Sequence, residues 1–222
     1  MPARRSFFRD NGLSMVLLAL FLASFAGQVV AGYRRYNEEQ REHGQPPRTV
    51  SGYLSTPAFL EATMENWESE FLQMAMYVLL TALLFQRGSS ESKDPDKPEP
   101  VDRRPDPSRP GAPWPVRRGG LALTLYQHSL ALAFTSLFVL SFALHAAGGA
   151  GEYNEEQEEH GRSERVTTAQ YMGSSRFWFE SFQNWQSEFL SMAAMVVLTI
   201  FLRQRGSPES KPVDAAHSET GE

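Results

Sequence analysis

Apolar residues along this chain gather in four blocks separated by strongly polar stretches. No residue from Asn11 to Tyr33 is charged, and none from Gly119 to Gly151. Two shorter runs, Phe71 to Gln86 and Phe189 to Leu202, hold 16 and 14 residues. A bilayer core is crossed by about 20 helical residues, so the first two blocks are long enough and the second two are short. Trp67 and Trp185 precede the short runs, and Arg87 and Arg203 follow them. Aromatic and cationic flanks of that kind mark membrane interfaces. The pattern predicts an all-α membrane protein with four transmembrane helices, at about 12–33, 67–86, 124–147 and 185–203. Arg4, Arg5 and Arg9 ahead of the first block resemble the start of a secretory signal. The block is long for one, and its counterpart in the second half is internal, which favours a retained anchor.

The chain also repeats itself. Tyr36-Asn37-Glu38-Glu39-Gln40-Arg41-Glu42-His43-Gly44 returns at 153–161 with eight of nine residues identical, and the stretch from Asn66 to Met74 returns at 184–192 with seven of nine. Over the apolar stretches 13–32 and 130–149 only seven of twenty agree, so lipid-facing sequence has drifted while the polar segments have not. The fold expected is two parallel helix-loop-helix repeats. Two helices per repeat insert both halves the same way up, which predicts an axis along the membrane normal. Residues 1–93 form the first two-helix repeat and 119–211 the second. Between them, residues 94–118 read as a disordered Pro-rich cytoplasmic linker, because so polar and proline-rich a segment cannot bury a core. Residues 212–222 read as a disordered tail.

Charge sets the orientation. Lys and Arg number three in the N-terminal tail, eight from Arg87 to Arg118 and three in the C-terminal tail, against four and three in the other two loops. The excess predicts both termini and the linker on the cytoplasmic side. The outer loops carry seven basic and fifteen acidic residues, a net of −8, so the outer face is acidic. The whole chain of 222 residues is acidic too, with 21 Lys+Arg and 26 Asp+Glu, which gives no basic face for nucleic acid. There is no cysteine, which removes disulfides, thiolate catalysis and Cys-ligated metal.

The stretches RRSFFRDNGLS, YNEEQxEHG and NWxSEFLxM together resemble an uncharacterised family of bacterial multipass membrane proteins, described only as a domain of unknown function. The resemblance covers nearly the whole chain except the linker and the C-terminal tail. It implies a bacterial cytoplasmic membrane and supplies no activity, cofactor or substrate.

Three groups of residues are candidates for chemistry. Glu39 with His43, and Glu156 with His160, are i, i+4 neighbours and so share a helix face; carboxylate with imidazole is a weak cation site. Glu70 and Glu188 lie beside the short spans. Counting back from Arg203 puts Glu188 roughly 7 Å inside the hydrocarbon boundary, where an ionisable group signals function. The opposing reading slides the helices inward and leaves both carboxylates at the surface. Gln28 and His145 occupy matching places near the outer ends of the longer spans, and the pairs Gln28–Glu70 and His145–Glu188 are expected to form a polar membrane site. The repeated positions Asn66, Trp67, Asn184 and Trp185 are candidates for a shared interface. Stripes of small residues, Ala23, Gly27 and Ala31 and likewise Ala143, Ala147 and Gly151, would allow close helix contact.

No P-loop, dinucleotide fingerprint, nucleophile elbow or metalloprotease motif occurs. The expected function is therefore non-enzymatic, a structural or interaction role in the cell envelope, with the lipid bilayer as the one evident partner and no cofactor. The alternative is a small transporter or channel with its polar site at the repeat interface. Four helices are few for a transporter, so that reading needs a homo-oligomer. A third reading is cation sensing by the acidic outer loops. A polar cavity entering the bundle would separate transport from a dry structural core.

Overall fold

The computed structural model describes residues 7–221; Arg4 and Arg5 lie outside the described residues, as does the side chain of Arg9. The described residues form helices and no strand: α1 (Phe7–Glu42), α2 (Val50–Leu54), α3 (Pro57–Leu83), a 3-10 turn at Pro100–Asp102, α4 (Trp114–Arg118), α5 (Gly120–Gln127), α6 (Ser129–Glu159), α7 (Thr168–Met172) and α8 (Ser175–Phe201). By length and apolarity, α1 and α6 qualify as membrane spans and α3 and α8 do not. The reason is visible in their sequences: α3 joins its apolar end to one with four glutamates before Phe71 and α8 joins its own to one rich in Ser, Asn and Gln, so no apolar window of spanning length exists.

The YNEEQ segments are helical, as the shared face of Glu39 and His43 requires. They continue α1 to Glu42 and α6 to Glu159. The span expected at 124–147 is broken at His128, which closes α5 and precedes α6 with φ −109 and ψ 9. The helices α3 and α8 start well before Trp67 and Trp185, because Thr56 and Ser174 cap them by accepting from the amides of Phe59 and Phe177. Such a cap is worth about 1 kcal/mol.

The two turns at the end of the bundle bearing Tyr36 and Tyr153 are held alike. Asn37 accepts from the Arg48 amide at 2.7 Å and donates to the Arg48 carbonyl at 3.2 Å. Asn154 does the same with Val166, at 2.8 and 3.0 Å. The short helices follow at once, with Thr49 and Thr167 as their N-caps. Tyr53 and Tyr171, at matching places in these helices, turn back onto Gly32 and Gly149, where any Cβ would overlap the tyrosine ring or hydroxyl.

The long helices are nonetheless packed unequally. The dominant contact is α3 against α6, with α8 resting on α3, and no comparable contact joins α1 to α8. One twofold axis would require that second contact, so the expected axial symmetry does not relate the four long helices. Side-chain volume explains the difference. In α6 the sequence Gly148-Gly149-Ala150-Gly151 faces α3 and α7, whereas the matching residues of α1 are Ala31-Gly32-Tyr33-Arg34. A Cβ on Gly148 would lie 2.6 Å from the Glu61 amide nitrogen, and one on Gly151 would lie 2.7 Å from Pro57 Cβ. The small-residue stripe of the first span makes no helix contact within the chain: Ala23, Gly27 and Ala31 are exposed, and Gly27 has space for a side chain. On α6, Ala143 and Ala147 are exposed too, and the contact is made by Ala146, Ala150 and the glycines.

The segment 94–118 carries only the 3-10 turn and α4. Residues 212–221, whose composition predicts disorder, fold back on the end of α8. The Lys211 ammonium there donates to the carbonyls of Ala216, His217 and Glu219, and Thr220 accepts from the Gly88 amide at 2.8 Å.

The close approach generates a prediction. Gly148→Ala should push α3 off α6 and destabilise the protein by about 1–3 kcal/mol, the usual cost of overfilling a packed contact. Gly27→Ala, with nothing within 4 Å, should be neutral or slightly stabilising through helix propensity. Thermal unfolding of both variants in detergent checks this; equal midpoints would refute the packing argument.

Candidate functional site

The residues of α3 around Trp67 place Glu61, Glu65 and Glu68 at i, i+4 and i+7, one helical face. That face is turned toward α6 and α8. Glu70, two residues beyond Glu68 and so on the other side of the helix, is exposed. Glu61 is 7% exposed and Glu68 is fully buried, a placement that carboxylates adopt only with partners.

Both oxygens of Glu68 are satisfied. The His145 ring nitrogen Nδ1 bonds Oε2 at 2.7 Å, and the Trp185 indole donates to Oε1 at 2.9 Å. The ring of His145 is fully buried and lies on Phe177, with centroids 4.8 Å apart. Its other nitrogen, Nε2, is buried without a hydrogen-bond partner and sits 3.5 Å from Glu180 Oε2. The Tyr171 hydroxyl reaches the same carboxylate at 2.7 Å and Glu61 at 3.3 Å. One hydroxyl proton cannot serve both, so the donors aimed at Glu61 and Glu180 fall short of the oxygens present. On its far side Glu180 accepts from Arg176, which also pairs with Glu156.

This cluster opens into a cleft of about 600 Å³ between the halves of the chain, lined by Gln28, Glu61, Glu65, Glu152, Arg176 and Glu180 among others. Its acidic residues outnumber its basic ones. Burial raises the Glu65 carboxyl above its ordinary 4.5, against the pull of His145 and a hydrogen bond from Asn184. Burial pushes Glu180 up as well, but His145, Tyr171 and Arg176 outweigh it and hold that carboxyl below the ordinary value. Burial also lowers Arg176, yet Glu156 and Glu180 beside it leave its pKa raised. A second groove, about 410 Å³ between the far ends of α3 and α8, is lined mainly by apolar residues such as Leu80 and Val196, with the Tyr77 hydroxyl bonded to Glu91 at its wall.

The structure redistributes the residues singled out by sequence. Gln28 donates to Thr63 at 3.2 Å and not to Glu70. His145 meets Glu68 and not Glu188. The Glu188 carbonyl accepts from Gln73 of α3, which places Glu188 on the α3–α8 seam. The first pair fails because α3 turns its Glu61–Glu68 face to α6 and Glu70 lies away from it; the second fails because that same face brings Glu68 to the imidazole. In the acidic turns, His43 and His160 donate to the carbonyls of Glu39 and Glu156, at 3.0 and 2.7 Å. The Glu39 carboxylate pairs with Arg35 and the Glu156 carboxylate with Arg176, so neither i, i+4 pair forms a carboxylate–imidazole site. The two imidazoles do meet, with ring centroids 6.2 Å apart.

Of the repeated positions, Asn184 bridges Glu65 and the Glu180 carbonyl, and Trp185 anchors Glu68. Asn66 is exposed, and Trp67 packs on Phe21 and Phe25 of α1.

Glu61, Glu65, Glu68, Tyr171 and Glu180 went unrecognised in the sequence. The signal they carry is the i, i+4, i+7 spacing of Glu61, Glu65 and Glu68. It does not repeat, since the counterparts of those three acids are Phe179, Gln183 and Gln186. The site is asymmetric, so comparing the halves hides it.

The chain belongs to the family described as "Domain of unknown function (DUF6766)", whose model matches residues 4–222. Comparisons with curated proteins and with solved structures find no match.

The raised Glu65 carboxyl yields a pH prediction. A folded-state pKa above the unfolded one contributes stability at low pH that is lost as pH rises through the folded value. Glu65→Gln keeps an oxygen to accept from Asn184 and removes that titration. The variant should therefore match the parent near pH 4, equal or exceed it at pH 7, and show a flatter stability profile between. Unfolding midpoints measured across that range check this; a parallel profile displaced downward would refute it.

Proposed function

We propose that this member of the DUF6766 family is a non-enzymatic, multipass membrane protein that accepts a cation from the outer side of the membrane. The observation that carries the reading is the acidic cleft. It enters the bundle between the halves and ends on Glu61 and Glu180, which share the one Tyr171 hydroxyl beside the buried, unpartnered Nε2 of His145. A purely structural bundle would bury apolar side chains at that place, since each unpaired buried charge is costly.

In this reading all four long helices cross the bilayer, with both termini and the linker in the cytoplasm, as the distribution of Lys and Arg directs. The helices α3 and α8 cross with their apolar ends, at about 67–86 and 185–203. Their acidic ends rise toward the outer surface, and the side chains of Glu61, Glu65, Glu68 and Glu180 turn inward among the helices. Much of the remaining surface suits lipid: Leu13, Val16, Leu17 and Leu18 of α1, and Leu190, Val197 and Leu198 of α8, are exposed. The duplicated sequence and the matching turns at Asn37 and Asn154 support descent from a doubled two-helix unit. One half then departed from the other, through the glycine face of α6 and the acidic face of α3. The transport reading differs only in requiring a path onward to the cytoplasm, built with a second copy of the chain.

Reporter fusions after Ser92 and after Gly161 should report opposite sides of the membrane; the same side for both would end the four-span reading. For the cleft, the melting temperature of the detergent-purified protein should rise with added divalent cation beyond the effect of sodium chloride at equal ionic strength. No difference for any of Mg²⁺, Ca²⁺, Mn²⁺ and Zn²⁺ would end the cation reading.

A further inference from the structure

We propose that Glu61, His145 and Glu180 form a binding site for one divalent transition-metal ion of the zinc class at the inner end of the cleft. The proposal rests on the cleft reading and names the ion and its ligands.

A ligand oxygen or nitrogen of each of these three residues lies within 4.8 Å of the other two. Glu61 comes from α3, His145 from α6 and Glu180 from α8, so three separate helices converge on one point. The donor set is imidazole with two carboxylates, which suits zinc and its neighbours in the first transition row; magnesium and calcium prefer oxygen alone. His145 Nε2 and Glu180 Oε2 are 3.5 Å apart. An ion about 2.1 Å from each would subtend about 113°, close to the tetrahedral angle zinc favours. A direct hydrogen bond is absent at that separation, and Nε2 is left buried and unpartnered.

The surroundings fit as well. A metal-bound histidine ordinarily gives its other ring nitrogen to a carboxylate, which fixes the tautomer and orients the ring. Here Nδ1 is held by Glu68 at 2.7 Å, and Glu68 is fixed in turn by Trp185. That leaves the Nε2 lone pair aimed at the gap between Glu180 and Glu61. Phe177 packs against the ring and keeps it from turning away. The Tyr171 hydroxyl, within hydrogen-bonding reach of both carboxylates, supplies a fourth oxygen or donates to the carboxylate oxygens not used by the ion. A divalent cation would offset the excess of buried negative charge that Arg176 alone offsets in part. The cleft provides the entry path, with Glu65 and Glu152 along it.

The nearest competitor is the exposed His43–His160 pair, where a Glu159 oxygen lies 3.6 Å from the His43 ring but neither ring offers a buried, unpartnered nitrogen. The experiment separates the two. Full-length protein, purified in detergent and stripped with chelator, is loaded with zinc chloride and dialysed; bound zinc is counted and its ligands are read by X-ray absorption at the zinc edge. The expected result is one zinc per chain, with one imidazole nitrogen and the rest oxygen. His145→Gln should lose stoichiometric zinc, and the double variant His43→Ala with His160→Ala should keep it. Glu68→Gln retains all three ligands but loses the orienting carboxylate, so its zinc affinity should fall by about 10–100-fold. Two imidazoles in the spectrum, or zinc lost with His43 and His160, would overturn the site and leave the cleft reading standing. The absence of bound zinc, with stabilisation by another cation, would do the same. The absence of stabilisation by any cation would overturn both. The spectrum is taken on the unaltered protein, so the test holds even where His145→Gln fails to fold.

Discussion

The arrangement of this protein depends on how closely α3 approaches α6. Gly148 and Gly151 leave no side chain between the two helices, and the Glu61 backbone occupies the space a Cβ would need. Such an approach has two consequences. It fixes the rotation of α3, so that its face bearing Glu61 and Glu68 turns inward. It also brings His145, less than one turn before Gly148 on α6, level with Glu68. A larger residue at either glycine would separate the helices and take the imidazole out of reach of its carboxylate.

From that contact the polar network assembles outward. Glu68 holds His145 and is held by Trp185, which ties α8 to the pair. Tyr171, seated on Gly149 by a second close approach, reaches Glu61 and Glu180 with one hydroxyl. Arg176 ties Glu180 to Glu156 near the end of α6. Each residue is a reasonable partner for the next, yet Glu61 and Glu180 share the one Tyr171 hydroxyl and the His145 Nε2 beside them has no hydrogen-bond partner. Low dielectric surroundings make both parts of that statement matter, since they strengthen the satisfied bonds and penalise the unsatisfied nitrogen. A network of this kind at the end of an open cleft is better suited to receiving a cation than to holding helices together.

The duplication explains the scaffold and not the site. The Asn37 and Asn154 clips, the Thr49 and Thr167 caps and the tyrosines on Gly32 and Gly149 come in pairs, because both halves need the same turn between their long helices. The residues that meet at His145 do not come in pairs. Its counterpart Gln28 reaches only Thr63, and the counterparts of Glu61, Glu65 and Glu68 are Phe179, Gln183 and Gln186.

Composition and pattern alone determined the helical class, the four apolar blocks, the acidic character of the YNEEQ ends and the repeated turn. Each of these is a property of residues near one another in the chain, or of their sum, and hydrophobic periodicity reports it directly. Which carboxylate meets His145 was decided by tertiary structure. Glu68 and Glu70 lie at nearly the same depth to any reading that counts distance from a membrane boundary. They differ chiefly in rotation about the α3 axis, and that rotation is set by contact with α6, whose His145 is 77 residues away in the chain. The same holds for Glu180 and Tyr171, whose place at the cluster follows from how α7 and α8 fold back on Gly149. Sequence spacing fixes which residues share a face; only packing decides which way the face turns.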